Sequence, residues 1–188
     1  MSAVVFLGIK HCGKSTQGRL LAQKLDLPLF DSDDLLQGKY ASMYGVSTQE
    51  ATAREIMKKH GEEFFRKFEA GVIRDFLQNQ STENCVLSLG GGVADNAFLS
   101  TEELKKLGTL VYLKIDPETA YKRIEAGGIP PFLAGSDPHG KFLQICQKRM
   151  PRCEELADVI AEVPADGDAE ALSAAILTEL EKRRVFEK

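Results

Sequence analysis

Tryptophan is absent from this 188-residue chain, and histidine occurs only three times. No apolar run approaches the roughly 20 residues that a membrane-spanning helix needs, so we expect no membrane partner. Positive charge is not in excess either, because 24 Lys and Arg residues stand against 28 Asp and Glu, for a formal net charge of −4. Without a basic field we expect no nucleic-acid partner.

Cysteine is also sparse, with four residues in the chain and no Cys-x-x-Cys pair among them. This spacing argues against a zinc site and indicates reduced thiols. Because the first apolar stretch follows Met1 and Ser2 directly, we expect no targeting peptide and a cytoplasmic protein. The wide spacing of the three histidines suits neither metal nor base chemistry and favours solvated or structural roles.

A phosphate-binding pattern is the strongest feature that is present. Residues 8–16 read Gly-Ile-Lys-His-Cys-Gly-Lys-Ser-Thr, which fits G-x-x-x-x-G-K-S. An apolar, β-prone stretch precedes this run and a helical pattern follows it, so backbone N–H groups and a helix N-terminus converge on one anion. Gly8 and Gly13 allow the loop to approach phosphate closely. Lys14 is expected to reach the β- and γ-phosphates of ATP, and the Ser15 hydroxyl to bind Mg²⁺.

Strand-like and helix-like patterns alternate along the rest of the chain. Strands are predicted at 3–7, 27–30, 85–89, 110–115 and 157–163. Helices are predicted at 17–25, 49–60, 61–77, 98–107, 117–127, 141–156 and 169–183. A helix start is also predicted near residue 95, and an interruption of the 141–156 helix at Pro151. With 43% hydrophobic and 28% charged residues, the chain predicts a single domain over residues 1–188. The alternation predicts an α/β fold with three layers, α/β/α, around a five-stranded parallel sheet.

Polar and glycine residues stand where two of these strands end. Asp31 and Asp33 follow the second strand, and Gly90-Gly91-Gly92 follow the third. Ligands bind at the carboxyl edge of an open parallel sheet, and the glycine triplet offers bare backbone there. Arg66 lies outside the apolar stripe of its helix, and that pattern alone favours a solvated arginine.

The segment at 127–140 is rich in glycine and proline, which predicts an irregular loop. A loop of this length is typical of an active-site lid. The alternative is a surface loop without a functional role.

Five motifs in order carry a resemblance. They are the phosphate loop, Asp31-Ser32-Asp33, Gly61-Glu62-Glu63-Phe64-Phe65-Arg66-Lys67-Phe68-Glu69, Gly90-Gly91-Gly92, and Lys148-Arg149-Met150-Pro151. With this order and spacing the chain resembles the shikimate kinase family, in the nucleoside-monophosphate-kinase group of P-loop proteins. The likeness runs from Val4 to about Val163.

The resemblance implies a kinase of aromatic amino-acid biosynthesis that transfers the γ-phosphoryl group of ATP to a shikimate hydroxyl, with Mg²⁺. Asp33 would accept hydrogen bonds from the substrate hydroxyls and orient or deprotonate the nucleophile. Asp31 would sit in the outer shell of Mg²⁺, through water. Arg66 and Arg149 would clamp the substrate carboxylate, which replaces the solvated interpretation of Arg66.

The implied site has two halves, with Lys14 and Asp33 as its catalytic residues. The nucleotide half comprises Gly8, His11, Cys12, Gly13, Lys14, Ser15, Thr16 and Arg123. The acceptor half comprises Asp33, Arg66, Gly90, Gly91, Gly92 and Arg149, and the metal-binding pair is Ser15 and Asp31. The resemblance also implies an acceptor-binding segment at about 33–62, a lid at about 127–140, and a monomer.

The chain departs from the family at the lid. Pro130 stands where the family carries an arginine that neutralises charge during transfer, and Lys10, Arg123 and Lys141 are the candidates to replace it. Two alternatives therefore stay open: a kinase of this fold for another hydroxy acid such as gluconate, and a catalytically impaired nucleotide-binding protein.

Cys12 lies in the phosphate loop, at the start of a predicted helix, and a thiol at a helix N-terminus tends to a lowered pKa. A further hypothesis is therefore that oxidation or alkylation of Cys12 blocks the binding of ATP.

Overall fold

A computed structural model describes residues 3–79 and 83–186, and within them five strands form one parallel sheet. The strands are β1 (Val4–Leu7), β2 (Leu29–Asp31), β3 (Val86–Ser88), β4 (Thr109–Ile115) and β5 (Val159–Val163). Their spatial order is β2-β3-β1-β4-β5, and every neighbouring pair is parallel. The predicted five-stranded parallel sheet is confirmed.

Helices cover both faces of this sheet. Within the same residues they are α1 (Lys14–Leu25), α2 (Ser32–Tyr44), α3 (Ala53–His60), α4 (Glu62–Asn79), α5 (Thr101–Lys105), α6 (Pro117–Gly127), α7 (Pro138–Leu156) and α8 (Ala169–Lys182). Short 3-10 turns lie at Thr48–Ala51 and Pro131–Leu133. None of the helices in this described part is both long enough and apolar enough to span a membrane.

Successive residues of β1 point to opposite faces and so divide the core in two. Val4 and Phe6 pack with residues of α1, α6 and α8, whereas Val5 and Leu7 pack with residues of α4 and α5. Helix α7 contributes to both cores, with Phe142 in the first and the deeper Cys153 in the second. The predicted α/β/α layering is confirmed.

A third, smaller core supports the segment predicted to bind the acceptor. Leu36 and Tyr40 of α2 pack with Ile56 of α3 and with Phe65 of α4. The Tyr40 hydroxyl and His60 Nε2 are 2.7 Å apart, so His60 has a structural role. The segment is therefore a helical layer seated on α4 rather than an open loop.

Several predictions of helices and loops are wrong. Helix α2 was not predicted, because its apolar residues do not repeat as a clear stripe, and it begins where the Asp31 side chain accepts a hydrogen bond from Asp33 N. The residues near 95 form turns, and the helix predicted at 98–107 is shorter. The stretch 127–140 is not wholly irregular, because it contains a 3-10 turn and α7 begins at Pro138, a first-turn position that suits proline.

Pro151 does not interrupt α7, which is continuous from Pro138 to Leu156. A proline inside a helix removes one backbone hydrogen bond and usually bends or breaks the helix. Beyond Pro151, however, Cys153 and Leu156 are buried at 2% and 1% exposure. Burial of the last turn in the core outweighs the cost of the missing hydrogen bond.

Candidate functional site

The loop between β1 and α1 has the backbone geometry of a phosphate cradle. Gly8 has φ of 146°, and a β-carbon there would lie 2.8 Å from Cys12 Sγ and 2.9 Å from the Leu113 carbonyl oxygen. Gly13 immediately precedes α1 with φ of 100°. Because α1 begins at Lys14, the free N–H groups of its first turn face the concave side of the loop.

The ammonium group of Lys14 is held within this loop. Its Nζ donates to the carbonyl oxygens of Gly8 and Ile9, each at 2.9 Å, and lies 3.6 Å from Cys12 Sγ. The next residues of α1, Ser15 and Thr16, lie on the same turn, and both are exposed. The loop therefore presents one cation and two hydroxyl groups beside its backbone donors.

The predicted metal-binding pair is brought together across the sheet edge. Ser15 Oγ donates to Asp31 Oδ2 at 3.4 Å, and both groups are hard oxygen donors of the kind that Mg²⁺ prefers. Nowhere in residues 3–79 and 83–186 do three His, Cys, Asp or Glu side chains cluster into a metal site of their own. This donor set fits a Mg²⁺ ion that keeps waters and phosphate oxygens as its other ligands.

Arg123 ties the phosphate loop to the far edge of the sheet. Its Nη1 donates to the His11 carbonyl oxygen at 3.4 Å, and its Nη2 donates to the carbonyl oxygens of Pro164 and Ala165 at 3.3 Å.

Cys12 is fully buried, which works against rapid modification of its thiol. The redox hypothesis for Cys12 stays a prediction.

His11 adopts a left-handed backbone conformation, with φ of 64°. Its imidazole has a lowered pKa, first because of partial burial and then because of the cations Lys10, Lys14 and Arg123. A left-handed conformation costs a residue with a β-carbon about 1–2 kcal/mol relative to glycine. The loop therefore carries backbone strain at the position next to its buried thiol.

We expect His11→Gly to raise the free energy of unfolding by about 1 kcal/mol, because glycine adopts this conformation without strain. Equilibrium denaturation in urea measures the change. His11→Ala is the matched control, since it removes the ring but keeps the strained backbone, and it should be no more stable than the parent. A glycine variant less stable than the alanine variant would contradict the strain argument.

Asp33 lies in the first turn of α2, directly beside the glycine triplet. A β-carbon on Gly90 would lie 2.6 Å from Asp33 Oδ1, and Gly90 N donates to Ser32 Oγ at 2.7 Å. Although solvent reaches it, the carboxyl group is crowded by protein, and this desolvation is the main cause that raises the pKa of Asp33. The Asp31 carboxylate raises the same pKa further, while Lys14 and Lys10 oppose the shift.

Arg66 is packed against the same triplet. A β-carbon on Gly92 would collide with the Arg66 guanidinium, whose Nη1 donates to Glu69 Oε2 at 3.0 Å. Asn96 Nδ2 donates to Glu69 Oε2 and to the Arg66 carbonyl oxygen, both at 2.9 Å. The Arg66 side chain is only 19% exposed, so the solvated interpretation drawn from its helix pattern is wrong.

Glu69 and Asn96 were missed as supports of Arg66. Burial raises the pKa of Glu69, and the Arg66 charge opposes this shift. The available signal for Glu69 was its spacing of three residues from Arg66, which places both on one helix face. Asn96 gave no signal, because it approaches from a different part of the chain.

Arg149, on α7, lies beside Asp95, three residues beyond the triplet. Its Nε lies 3.1 Å from Asp95 Oδ1, in a pair whose side chains are 17% and 10% exposed. Lys148 Nζ lies 3.4 Å from Asp95 Oδ2. Asp95, which the sequence analysis did not single out, follows the triplet closely along the chain. Because Arg149 meets Asp95 through Nε, its terminal nitrogens remain as donors for a ligand.

The lid segment meets the phosphate loop above the cleft. Leu133 is fully buried in the main core, while its neighbour Phe132 is 51% exposed. Lys10 Nζ lies 5.6 Å from the centre of the Phe132 ring. At the other end of the segment, Lys141 Nζ donates to the Ala134 carbonyl oxygen at 2.7 Å.

The site as a whole can hold two anions face to face. The phosphate loop and Lys14 form one half, and the glycine triplet with Arg66 and Arg149 forms the other. Asp33, with a raised pKa, lies between them. This arrangement suits transfer of a phosphoryl group to a hydroxyl of a small carboxylated molecule.

Comparison with known proteins gives a consistent result. The family model described as "Shikimate kinase" matches residues 10–181. A shikimate kinase of Rhodococcus jostii is 36% identical over 172 residues, covering 89% of this chain and 90% of that protein. One from Chlamydia pneumoniae is 32% identical over 161 residues, covering 85% of each. The solved structure of Acinetobacter baumannii shikimate kinase in complex with shikimate has a TM-score of 0.82 at 28% identity, covering 97% of this chain and 94% of that one.

Proposed function

Because this chain belongs to the shikimate kinase family, we propose that it transfers the γ-phosphoryl group of ATP to a hydroxyl group of shikimate. One observation carries the proposal for the acceptor. Arg66 and Arg149 come from different helices, yet both lie against the segment that follows β3, Arg66 beside Gly92 and Arg149 beside Asp95. Two guanidinium groups at one sheet edge suit a planar carboxylate, such as that of shikimate.

The transfer exchanges one bond to phosphorus for another. The shikimate hydroxyl oxygen bonds to the γ-phosphorus, the bond from that phosphorus to the bridging oxygen breaks, and ADP leaves with that oxygen. Asp33 is placed to orient the hydroxyl and accept its proton. The loop backbone and Lys14 bind the β- and γ-phosphates and offset the charge of the group in transfer.

Mg²⁺ would bind at the Ser15 hydroxyl, with Asp31 holding its water ligands. When bound, it would supply positive charge beside the phosphates. The 3.4 Å separation between Ser15 Oγ and Asp31 Oδ2 supports this assignment. Of the other predicted nucleotide residues, Arg123 would order the loop through the His11 carbonyl, and Thr16 would stand beside the phosphates.

We further propose that the protein acts as a monomer of one domain in the cytoplasm, with an acceptor-binding segment at 33–62 and a lid at 127–140. The small core that joins α2 and α3 to α4 holds the acceptor-binding segment together. The sparse, buried thiols suit a reducing compartment.

The test is turnover with ATP, Mg²⁺ and one acceptor at a time, measured by coupled ADP release and by ³¹P NMR of the product. We expect shikimate to be phosphorylated and gluconate, quinate and the methyl ester of shikimate to be poor acceptors, because the ester lacks the charge that both arginines bind. Arg66→Met should raise the KM for shikimate by about 10–100-fold, since a charged hydrogen bond contributes about 1.5–3 kcal/mol.

Lys67→Met is the matched control, because Lys67 is adjacent to Arg66 on α4 but is exposed and paired with Glu63 at 2.6 Å. Its KM should stay within about twofold of the parent, as expected for a surface ion pair. Phosphorylation of gluconate in preference to shikimate would assign a different acceptor. Nucleotide binding without turnover of any acceptor would favour the impaired binding protein.

A further inference from the structure

Lys10, Arg123 and Lys141 are the three candidates for the charge that the lid lacks at Pro130, and they differ in what their charges contact. Arg123 is engaged with the carbonyl oxygens of His11, Pro164 and Ala165. Lys141 is bonded to the Ala134 carbonyl oxygen within the lid. Within the described part of the chain, the Lys10 ammonium makes no hydrogen bond or ion pair, and its contact is with the face of Phe132.

Sheet topology places these cations on different sides of the site. Pro164 and Ala165 follow β5, at the edge of the sheet opposite to β2, so Arg123 is turned away from the acceptor half. Lys10 follows β1, the neighbour of β3. A β-carbon on Gly91 would lie 3.5 Å from the Lys10 backbone nitrogen. The Lys10 backbone therefore lies where the phosphate loop meets the glycine triplet.

The Lys10 charge also affects the pKa of the Asp33 carboxyl group. Together with Lys14 it lowers the pKa of Asp33, against the desolvation that raises it. Lys10 thus has its backbone beside Gly91, its ammonium on the Phe132 ring of the lid and its charge acting on Asp33, which places it close to the line of phosphoryl transfer. Lys14 is bonded to the loop carbonyl oxygens, whereas the Lys10 ammonium lies on the Phe132 ring of the lid.

Resting on the proposed function, we infer that Lys10 is a catalytic residue whose ammonium group binds the phosphoryl group during its transfer, with Phe132 as the surface that holds the side chain over the cleft. Charge spreads over the equatorial oxygens of the phosphoryl group in the transition state, and a cation placed there lowers the barrier. The Phe132 ring keeps the ammonium near the cleft without neutralising it, because its interaction with the cation is weak at an exposed site. The charge stays available for the anion.

The experiment compares Lys10→Met, Lys10→Gln and Lys10→Arg with the parent in steady-state turnover with shikimate, alongside calorimetric binding of Mg·ADP. We expect the two neutral variants to lose about 10²-fold in kcat, while the dissociation constant for Mg·ADP changes by no more than about threefold. Lys10→Arg should retain at least about a tenth of the parent kcat, because it keeps the charge but changes the geometry.

Lys141→Met is the matched control, since it removes a lysine of the lid base whose ammonium is bonded to a backbone carbonyl. Its kcat should fall by less than about threefold. Because Lys10 and Lys141 are both exposed, melting temperatures of all variants should stay within about 2–4 °C of the parent.

Two results would overturn the inference while leaving the proposed function intact. One is a neutral Lys10 variant with the kcat of an active parent. The other is a loss of kcat/KM matched by an equal loss of Mg·ADP affinity, which is the signature of a residue that only binds nucleotide. A parent without any turnover of shikimate would instead reject the proposed function, and the inference with it.

Discussion

Replacing Asp33 with asparagine is expected to lower kcat for shikimate by about 10²–10⁴-fold, the range for loss of a positioned general base. Asparagine keeps the size of the side chain and one acceptor oxygen, but it cannot take up the hydroxyl proton. The KM for ATP should change little, because Asp33 stands on the acceptor side, beside Gly90. Steady-state kinetics with both substrates measures the effect.

The same variant should fold at least as well as the parent. The pKa of Asp33 is raised in the folded protein, mainly by desolvation and then by Asp31. A carboxyl group whose pKa is raised by folding destabilises the folded state once it ionises, so the parent loses stability as pH rises from the unfolded pKa through the folded one. The asparagine side chain does not ionise, so the variant should lack this part of the pH dependence.

The two pH profiles should therefore move in opposite directions. Activity of the parent should rise with pH through the raised pKa of Asp33, because the carboxylate is the active form. Stability should fall over the same range. Measuring kcat and the free energy of unfolding from pH 4 to pH 8 tests the two profiles. Asp34→Asn is the control, since Asp34 is exposed on the same turn of α2. An active Asp33→Asn variant would remove Asp33 from the catalytic role.

Replacing Lys14 with methionine is expected to lower kcat by at least about 10³-fold and to weaken Mg·ADP binding. The reason is that the Lys14 ammonium both holds the loop through its carbonyl oxygens and is expected to bind the phosphates. The ammonium bonds the Gly8 and Ile9 carbonyl oxygens, and methionine leaves both without that donor. The free energy of unfolding should also fall, by about 1–3 kcal/mol for the lost hydrogen bonds. Calorimetry with Mg·ADP, denaturation and kinetics follow the three effects.

Lys14→Arg separates charge from geometry in this position. Arginine keeps the positive charge, but its planar fork does not fit the tight space between the loop carbonyls. We expect partial recovery of nucleotide binding with kcat still low. Full recovery of kcat by arginine would mean that charge alone is needed, and the bonds to Gly8 and Ile9 would then have no catalytic importance.

The features readable from the sequence were those formed by residues close together in the chain. The phosphate loop lies in one short run, and its glycines and Lys14 face one anion because a strand leads in and a helix leads out. The alternation of apolar strands and helices was equally local, and it predicted the parallel sheet. Helix α2 was missed because its apolar residues lie on more than one face: Leu36 and Tyr40 are buried against other helices, whereas Met43 is exposed.

Arg66 illustrates where local pattern fails. On its helix it reads as a surface arginine, and only the family resemblance indicated otherwise. The structure shows the reason, since Gly92 and Asn96, from the segment that follows β3, pack against it. Asp95 likewise pairs with Arg149 through a contact that no spacing rule connects.

By itself, the sequence determined the phosphate loop, the parallel sheet and the edge of the sheet at which a ligand binds, because each depends on neighbours along the chain. Only the tertiary structure decided which distant side chains share that edge: it brought Arg66 to Gly92 and Arg149 to Asp95, both in the segment that follows β3. It also distinguished Lys10 from Arg123 and Lys141. The physical reason is that a side chain's charge acts over a few ångströms of space, and folding alone sets which residues come within that distance.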